Sequence, residues 1–419
     1  IADAVERGAV AVLLASDVEV PGNLSVPVLR SSKPRLALAQ MASRFWSRQP
    51  ETVVAVTGTS GKTSVVDFTR QIFTALGWSA ASLGTIGVVK PDGAVYGSLT
   101  TPDPVSLHRT LAELDDEGVT HLALEASSHG LDQHRMDGVR LAAGAFTNLG
   151  RDHLDYHPTV EEYLAAKMRL FNSLLAAGKP AVINLDAPYA KDALRMAIAY
   201  DLEVITVGEA GETIRLAEVK RDGFQQLLTI VYDDQTFPVR FQLIGAYQVA
   251  NALVAAGLAI AVGGPPMDVF FVLQNLSGVP GRMESVGQSR GGLVVIDYAH
   301  KPEALEAALD AVRPFVTGRL VCVFGCGGDR DKGKRAIMGE IAVRKADTVI
   351  VTDDNPRTEN AASIRSEIMS AAKGAQEIGD RHTAIHSSIS DIGDGDVVLI
   401  AGKGHETGQI VGDRVLPFS

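Results

Sequence analysis

An α/β chain of three domains is what the sequence predicts, and three features predict it. Short β-branched runs alternate with helical patterns nearly throughout, the one-dimensional signature of covered parallel sheets. The length, 419 residues, suggests roughly three domains, each able to bury its own core. A stretch rich in Gly and Pro, LSGVPGRMESVGQSRGG (276–292), reads as a linker late in the chain.

In order, residues 1–50 predict helix, strand (AVAVLLAS) and helix (RLALAQMASRFW), the closing part of a domain. TVVAV at 52–56 starts a new series: loop, helix near 64–76, strands near 119–125 and 143–147, helix 160–176 and strand 181–186. Residues 226–244 alternate like a β-hairpin before the apolar helix 248–262. A third series follows, with strands at 293–298, 319–325, 347–352 and 396–401 and helices between. The expected domains are therefore 1–50, 51–283 and 284–419.

Composition is 46% hydrophobic and 21% charged, which fits a folded globular chain rather than a disordered one. The net charge of −11 argues against nucleic acid as a partner, so an anionic substrate would need local basic clusters. Cys322 and Cys326 in LVCVFGCGGD form no CxxC and no His/Cys cluster, which argues against zinc and excludes a disulfide framework; they read as small apolar residues at a strand end. No apolar run reaches ~18 residues, so no membrane span is expected. The chain starts at Ile1 and stops abruptly at Ser419; the natural termini are expected to lie beyond it, and a targeting segment is left open.

VVAVTGTSGKTSVVDF (53–68) puts a Gly-rich turn between a strand and a helix. The backbone N–H groups of Gly58, Thr59, Ser60, Gly61 and Lys62 suit a phosphate cradle at a helix N-terminus, with Lys62 reaching the outer phosphates and the Thr63 hydroxyl suited to Mg²⁺. The general P-loop pattern wants Gly where this chain has Val56. Glu125, ending the apolar run in LALEASSHG, is either a Mg²⁺ ligand or a solvated capping carboxylate. His153 in TNLGRDHLDYH is a weak ligand candidate against a structural turn histidine. Lys167 in VEEYLAAKMRLF has Leu164 and Phe171 at −3 and +4, placing it at the edge of an apolar face. It either snorkels to water or, if buried, has a depressed pKa and a neutral amine able to react with CO₂, giving a carbamate with anionic oxygens for Mg²⁺.

Ten motifs in order, TGTSGKTS, EASSHGLDQHR, TNLGRDHLDYH, AAKMRLF, GAYQVAN, GRMESV, DYAHKPEAL, GCGGDRDKGKR, TDDNPR and AGKGHE, run from residue 57 to 406. With them the chain resembles the Mur ligases, the ATP-dependent amino-acid ligases of peptidoglycan synthesis. The resemblance implies a cytoplasmic enzyme of cell-wall biogenesis, and through it of cell shape and division. It also implies the end of a UDP-binding domain, a central P-loop ATPase-like domain and a C-terminal Rossmann-like domain, with a monomer as the expected assembly.

The implied reaction adds meso-diaminopimelate to a UDP-N-acetylmuramoyl-dipeptide, with ATP as co-substrate, Mg²⁺ as cofactor and an acyl phosphate as intermediate. By match, Thr63 and Glu125 serve one Mg²⁺, and His153 with carbamylated Lys167 a second. Asn251, Arg282 and Asp297 hold adenine, phosphate and ribose, while His300 sits near the nucleotide in a role left open. Thr100, Thr101, Ser127, Gln133 and Arg135 hold the UDP-muramoyl-peptide. Most uridine contacts are expected in a part of the first domain that residues 1–50 do not include.

The amino acid itself explains TDDNPR. Its far end carries a carboxylate and an ammonium side by side, and Arg357 offers a planar fork that takes a carboxylate bidentately. Pro356 stiffens the chain, Asn355 adds a neutral donor and acceptor, and Asp354 supports the loop. By match, Arg330 holds the other carboxylate, while Gly402 (through its carbonyl) and Glu406 take the far ammonium. L-Lysine lacks the far carboxylate; leaving a buried Arg357 unpaired would cost ~3–5 kcal/mol, a discrimination of ~10²-fold or more.

Ser60, Gln248 and Ala126 depart from the family's commoner Asn, Asn and Val without removing a ligand. A folylpolyglutamate synthetase shares the loop and the lysine but is not expected to carry DNPR with GKGHE. An L-lysine-adding relative typically replaces the arginine of DNPR. A catalytically dead nucleotide-binding regulator is disfavoured by Lys62, Glu125, His153 and Lys167 together.

Overall fold

The computed structural model describes residues 1–20, 22, 24–95, 99–150, 156–404, 406 and 408–418. Two compact units emerge: Ile1–Leu216 with Val231–Asp234 and Asn251–Phe270, and Ala217–Ile230 with Gln235–Ala250 and Phe271–Ser419. No helix among the described residues is long and apolar enough to cross a membrane.

In the first unit, strand Thr52–Thr57 lies between His121–Glu125 and Ala143–Phe146, all parallel. Ala80–Gly84 extends the sheet on one side, and Pro180–Asn184 and Glu203–Gly208 on the other, again parallel. Val53 to Val56 are buried without a break, as expected of a strand covered on both faces. Two short antiparallel strands, Gly87–Lys90 and Gly93–Val95, finish one edge.

The register Val56↔Glu125 sets Glu125 beside the strand that runs into the Gly-rich loop. Strands on both sides of Thr52–Thr57 end near this loop, the kind of sheet position where α/β folds take ligands. The expected helix 160–176 is α-helical over Val160–Arg169 and continues as a π-turn, Leu170–Leu174. At the start of the chain a second strand, Val28–Ser31, pairs parallel with Val12–Ala15 before helix Pro34–Phe45.

In the second unit the strand order is Glu284–Ser289, Gly292–Asp297, Val397–Ala401, Leu320–Phe324, Thr348–Val351, Gln376–Glu377. All pairs are parallel except the first. Side chains alternate between faces: Leu293 and Val295 join the core under helices Pro302–Val312 and Lys334–Lys345, and Val294 joins the core under Arg381–Ser390. The stretch 276–292 is therefore not a linker throughout. Glu284–Ser289 is a strand, and Arg290 and Gly291, with left-handed φ of 48° and 83°, close a two-residue turn onto the next one. Few apolar residues mark that strand, which is why composition hid it. The hairpin read at 226–244 is present as Gln225–Tyr232 and Gln235–Phe241, turning at Asp233 and Asp234, both left-handed.

Candidate active site

The Gly-rich loop of the first unit is shaped by its neighbours. Gly58 (φ 151°) and Gly61 (φ 85°) are left-handed, and a Cβ on Gly58 would lie 1.9 Å from the Thr147 Oγ1. On Gly61 it would lie 2.3 Å from the Asn251 Oδ1, so Asn251 abuts the loop. Asn148 accepts from the Thr59 N–H through its carbonyl (2.9 Å) and from the Ser60 N–H through its side chain (3.0 Å). Two of the five N–H groups expected to cradle phosphate are thus engaged, which leaves the first turn of helix Lys62–Ala75, capped by no side chain, as the end suited to an anion. The Lys62 amine donates to the carbonyls of Gly58 and Thr59, both at 2.9 Å. Gly58→Ala is expected to push the loop off Thr147 and weaken nucleotide binding ~10-fold or more, as overpacking of ~1–3 kcal/mol would. Calorimetric titration with ADP, beside a melting curve to confirm folding, checks this.

Glu125 is 1% exposed, and its carboxylate accepts from the Thr85 N–H (2.8 Å) and hydroxyl (3.3 Å). Lys167 does not snorkel. It is 1% exposed, donates to the Gly58 carbonyl at 2.7 Å and lies 4.3 Å over the Tyr163 ring. His153 lies outside the described residues.

The five residues matched to the muramoyl-peptide fall into one hydrogen-bonded network. The Thr101 hydroxyl donates to the Glu125 carbonyl (2.8 Å) and accepts from the Ser127 hydroxyl (3.0 Å). Arg135 donates to the Thr101 carbonyl (2.7 Å) and to the Gln133 side chain (2.8 Å). Thr100 pairs with Thr85, 3.1 Å between hydroxyls, which links the network back to Glu125.

In the second unit a pocket of about 660 Å³ is lined by Arg330, Asp354, Asn355, Arg357, Gly402 and Glu406 together. That volume suits a small ligand. Arg357 is left-handed (φ 52°) and only half-buried, and its guanidinium donates to the Gly328 carbonyl at 2.8 Å. The Asn355 side chain accepts from the Ile410 N–H (2.8 Å), and Asp354 accepts from the Asn355 N–H (2.6 Å), as loop support should. Arg330 is exposed at the rim, donating to the Asp329 carbonyl, and Glu406 accepts from the Gly404 N–H.

His300 and Lys334 also line this pocket. The His300 Nδ1–H donates to the Tyr298 carbonyl (2.9 Å), and burial pulls its pKa down, so it is neutral at pH 7. Asp297 is pushed up by burial, and its carboxylate accepts from the N–H groups of Met283 and Ala299, both at 2.8 Å. Arg282 lies over the Tyr298 ring. Cys322 and Cys326 are buried, and their thiols are pushed up to about 12 by burial.

Thr85, Asn148 and Tyr163 were not singled out from sequence. Tyr163, four residues before Lys167 on one helix, was within reach of an i,i+4 reading.

The Mur ligase middle domain matches residues 56–259, and the Mur ligase glutamate ligase domain matches residues 281–404. The chain belongs to the Mur ligase family. A curated relative of this Mur ligase from Brucella melitensis, named UDP-N-acetylmuramoyl-L-alanyl-D-glutamate–2,6-diaminopimelate ligase, is 58% identical over 419 residues, covering 100% of this chain and 86% of the relative. One of the same name from Agrobacterium fabrum is 57% identical over 418 residues, covering 100% and 85%. A solved structure of a ligase of that name superposes with a TM-score of 0.74 at 32% identity, covering 99% of this chain and 86% of the other. The Mycobacterium tuberculosis folylpolyglutamate synthase, solved with ADP and AMPPCP, shares the fold of this Mur ligase at 17% identity (TM-score 0.68; 88% and 92% covered).

Proposed function

We propose that this ATP-dependent amide-forming ligase joins meso-diaminopimelate to UDP-N-acetylmuramoyl-L-alanyl-D-glutamate in the cytoplasm, in peptidoglycan precursor synthesis. The observation that carries the choice of amino acid is the pocket lined by both Arg330 and Arg357 with Glu406. Within it the guanidinium groups of Arg330 and Arg357 and the carboxylate of Glu406 complement an amino acid with two carboxylates and a far ammonium. In this reading residues 1–50 close a UDP-substrate domain, 51–283 carry the ATP chemistry and 284–419 take the amino acid.

A carboxylate is a poor acyl donor, so one of its oxygens attacks the γ-phosphorus of ATP, ADP leaves, and an acyl phosphate forms. The amine nitrogen then attacks the acyl carbon, a tetrahedral intermediate collapses, phosphate departs and the nitrogen loses a proton. Lys62 and the first turn of its helix hold the phosphates and offset the repulsion between two anions. Arg135, Ser127 and Thr101 orient the muramoyl-peptide, and Thr100 and Gln133 complete that network. Asn251 borders the nucleotide at the loop, with Arg282 and Asp297 serving phosphate and ribose.

Thr63 and Glu125 fit one Mg²⁺ site, because Glu125 is a buried carboxylate held by the N–H and hydroxyl of Thr85. Such a cation takes its remaining oxygens from phosphate and water. A second site is assigned to His153 and the carbamate of Lys167. Bound Mg²⁺ supplies neutralisation of phosphate charge.

The test is ADP release with each candidate amino acid. Because Arg357 is half-buried, leaving it unpaired with L-lysine costs less than full burial would imply: ~1–3 kcal/mol, or ~10–10²-fold preference for meso-diaminopimelate. Arg357→Ala is expected to erase most of that preference. Equal use of the two amino acids by the wild type would sink the reading.

A further inference from the structure

Arg335 is 0% exposed, and neither it nor its partner Glu359 lines the amino-acid pocket. Its guanidinium donates to Glu359 twice (3.1 and 2.9 Å), to Glu367 (2.9 Å) and to the Gly327 carbonyl (3.4 Å). Glu359 ends the DNPR loop and in turn accepts from the Asp329 N–H (2.6 Å), in the loop that carries Arg330. Asp329 answers by accepting from the Thr358 N–H (3.0 Å) and hydroxyl (2.8 Å). The Gly328 N–H donates to the Asn355 carbonyl (2.9 Å), and Arg357 donates back to the Gly328 carbonyl. The two backbones touch, since a Cβ on Gly328 would lie 1.9 Å from the Pro356 carbonyl oxygen. Both loops turn on a left-handed non-glycine residue, Asp329 (φ 53°) and Arg357 (φ 52°).

A buried ion pair is weak evidence for stability, because an apolar pair of similar volume commonly does as well. What this pair adds is direction: it ties one carboxylate to a helix and to both loops. We propose that the Arg335–Glu359 pair is a specificity-positioning clamp, which sets the two left-handed turns and so the separation between the guanidinium groups of Arg330 and Arg357. The clamp rests on the reading that this pocket takes the amino acid, and it acts on ligand choice through Arg330 and Arg357 without itself lining the pocket.

Glu359→Gln keeps the shape and removes the charge. The KM for meso-diaminopimelate is expected to rise ~10-fold or more and the preference over L-lysine to fall, while kcat and the KM for ATP stay within about 2-fold. In an Arg357→Ala background the same change should cost little further preference, since the two act on one contact. Thr358→Ala, at an exposed side chain, should shift the diaminopimelate KM the same way by less, and it serves if Glu359→Gln does not fold. An unchanged diaminopimelate KM, an equal rise in every KM, or losses that multiply in the double variant would each overturn the clamp. If Arg357→Ala by itself leaves the preference intact, the pocket reading fails separately. The clamp is then judged on Glu359→Gln with Arg330 in place, where a raised diaminopimelate KM supports it and an unchanged one removes it.

Discussion

Lys167→Ala is expected to remove nearly all ligation, a loss of ~10²-fold or more, with partial recovery when a short carboxylic acid is added. The amine is buried against the Gly58 carbonyl and the Tyr163 ring. In its neutral form that amine is a nucleophile for CO₂. The nitrogen–carbon bond forms, a carbon–oxygen π bond becomes the carboxylate, and the proton leaves to water. The product puts an anionic oxygen donor beside the phosphate loop, and an added carboxylic acid can stand in for it. Lys167→Met fills most of the same volume without the chemistry, so it should fold and fail alike. ¹³C NMR of the wild type under labelled CO₂ checks the modification without reference to turnover. Wild-type activity in the alanine variant, or no carbamate signal, would end this reading.

The second large effect is at Lys62. Lys62→Ala should lower kcat by ~10²-fold or more, because one charge-assisted contact that strengthens in the transition state supplies on the order of 3 kcal/mol. Its amine bends over the loop to the carbonyls of Gly58 and Thr59, both at 2.9 Å, so it lies against the Gly-rich turn. Loss of those two hydrogen bonds is a smaller, structural cost, visible in the melting temperature. Single-turnover ADP formation separates the two. Normal turnover in the variant would mean that ATP binds elsewhere.

The strand–loop–helix unit at 52–75 was legible because each piece obeys its own local rule. Even the departure at Val56 has a simple account: that residue still lies in the extended, buried strand, and the positive backbone angles begin at Gly58. Ala80–Gly84 escaped because AASLG carries no β-branched signal, although all five residues are buried. The DNPR residues could be read as candidate ligands because their chemistry matches the two ends of such an amino acid, and Asp354, Asn355 and Arg357 line one pocket.

Tertiary partners were harder. Thr85 holds Glu125 from 40 positions away in sequence, and Arg335 in DKGKR reads as an ordinary charged helix start. Burial also closed a choice that periodicity left open, because a lysine at the edge of an apolar stripe turned inward rather than toward water.

The left-handed backbone at Arg357 has an evolutionary and an engineering side. A branched-free but bulky residue there carries strain of ~1–2 kcal/mol that asparagine or glycine would largely relieve. A thermostability campaign guided by backbone energies would therefore nominate this position early, and the melting temperature would reward it. On the proposed reading the same substitution would also remove the guanidinium that meets the far carboxylate of diaminopimelate, so the residue that strains the backbone is the one that would read the amino acid.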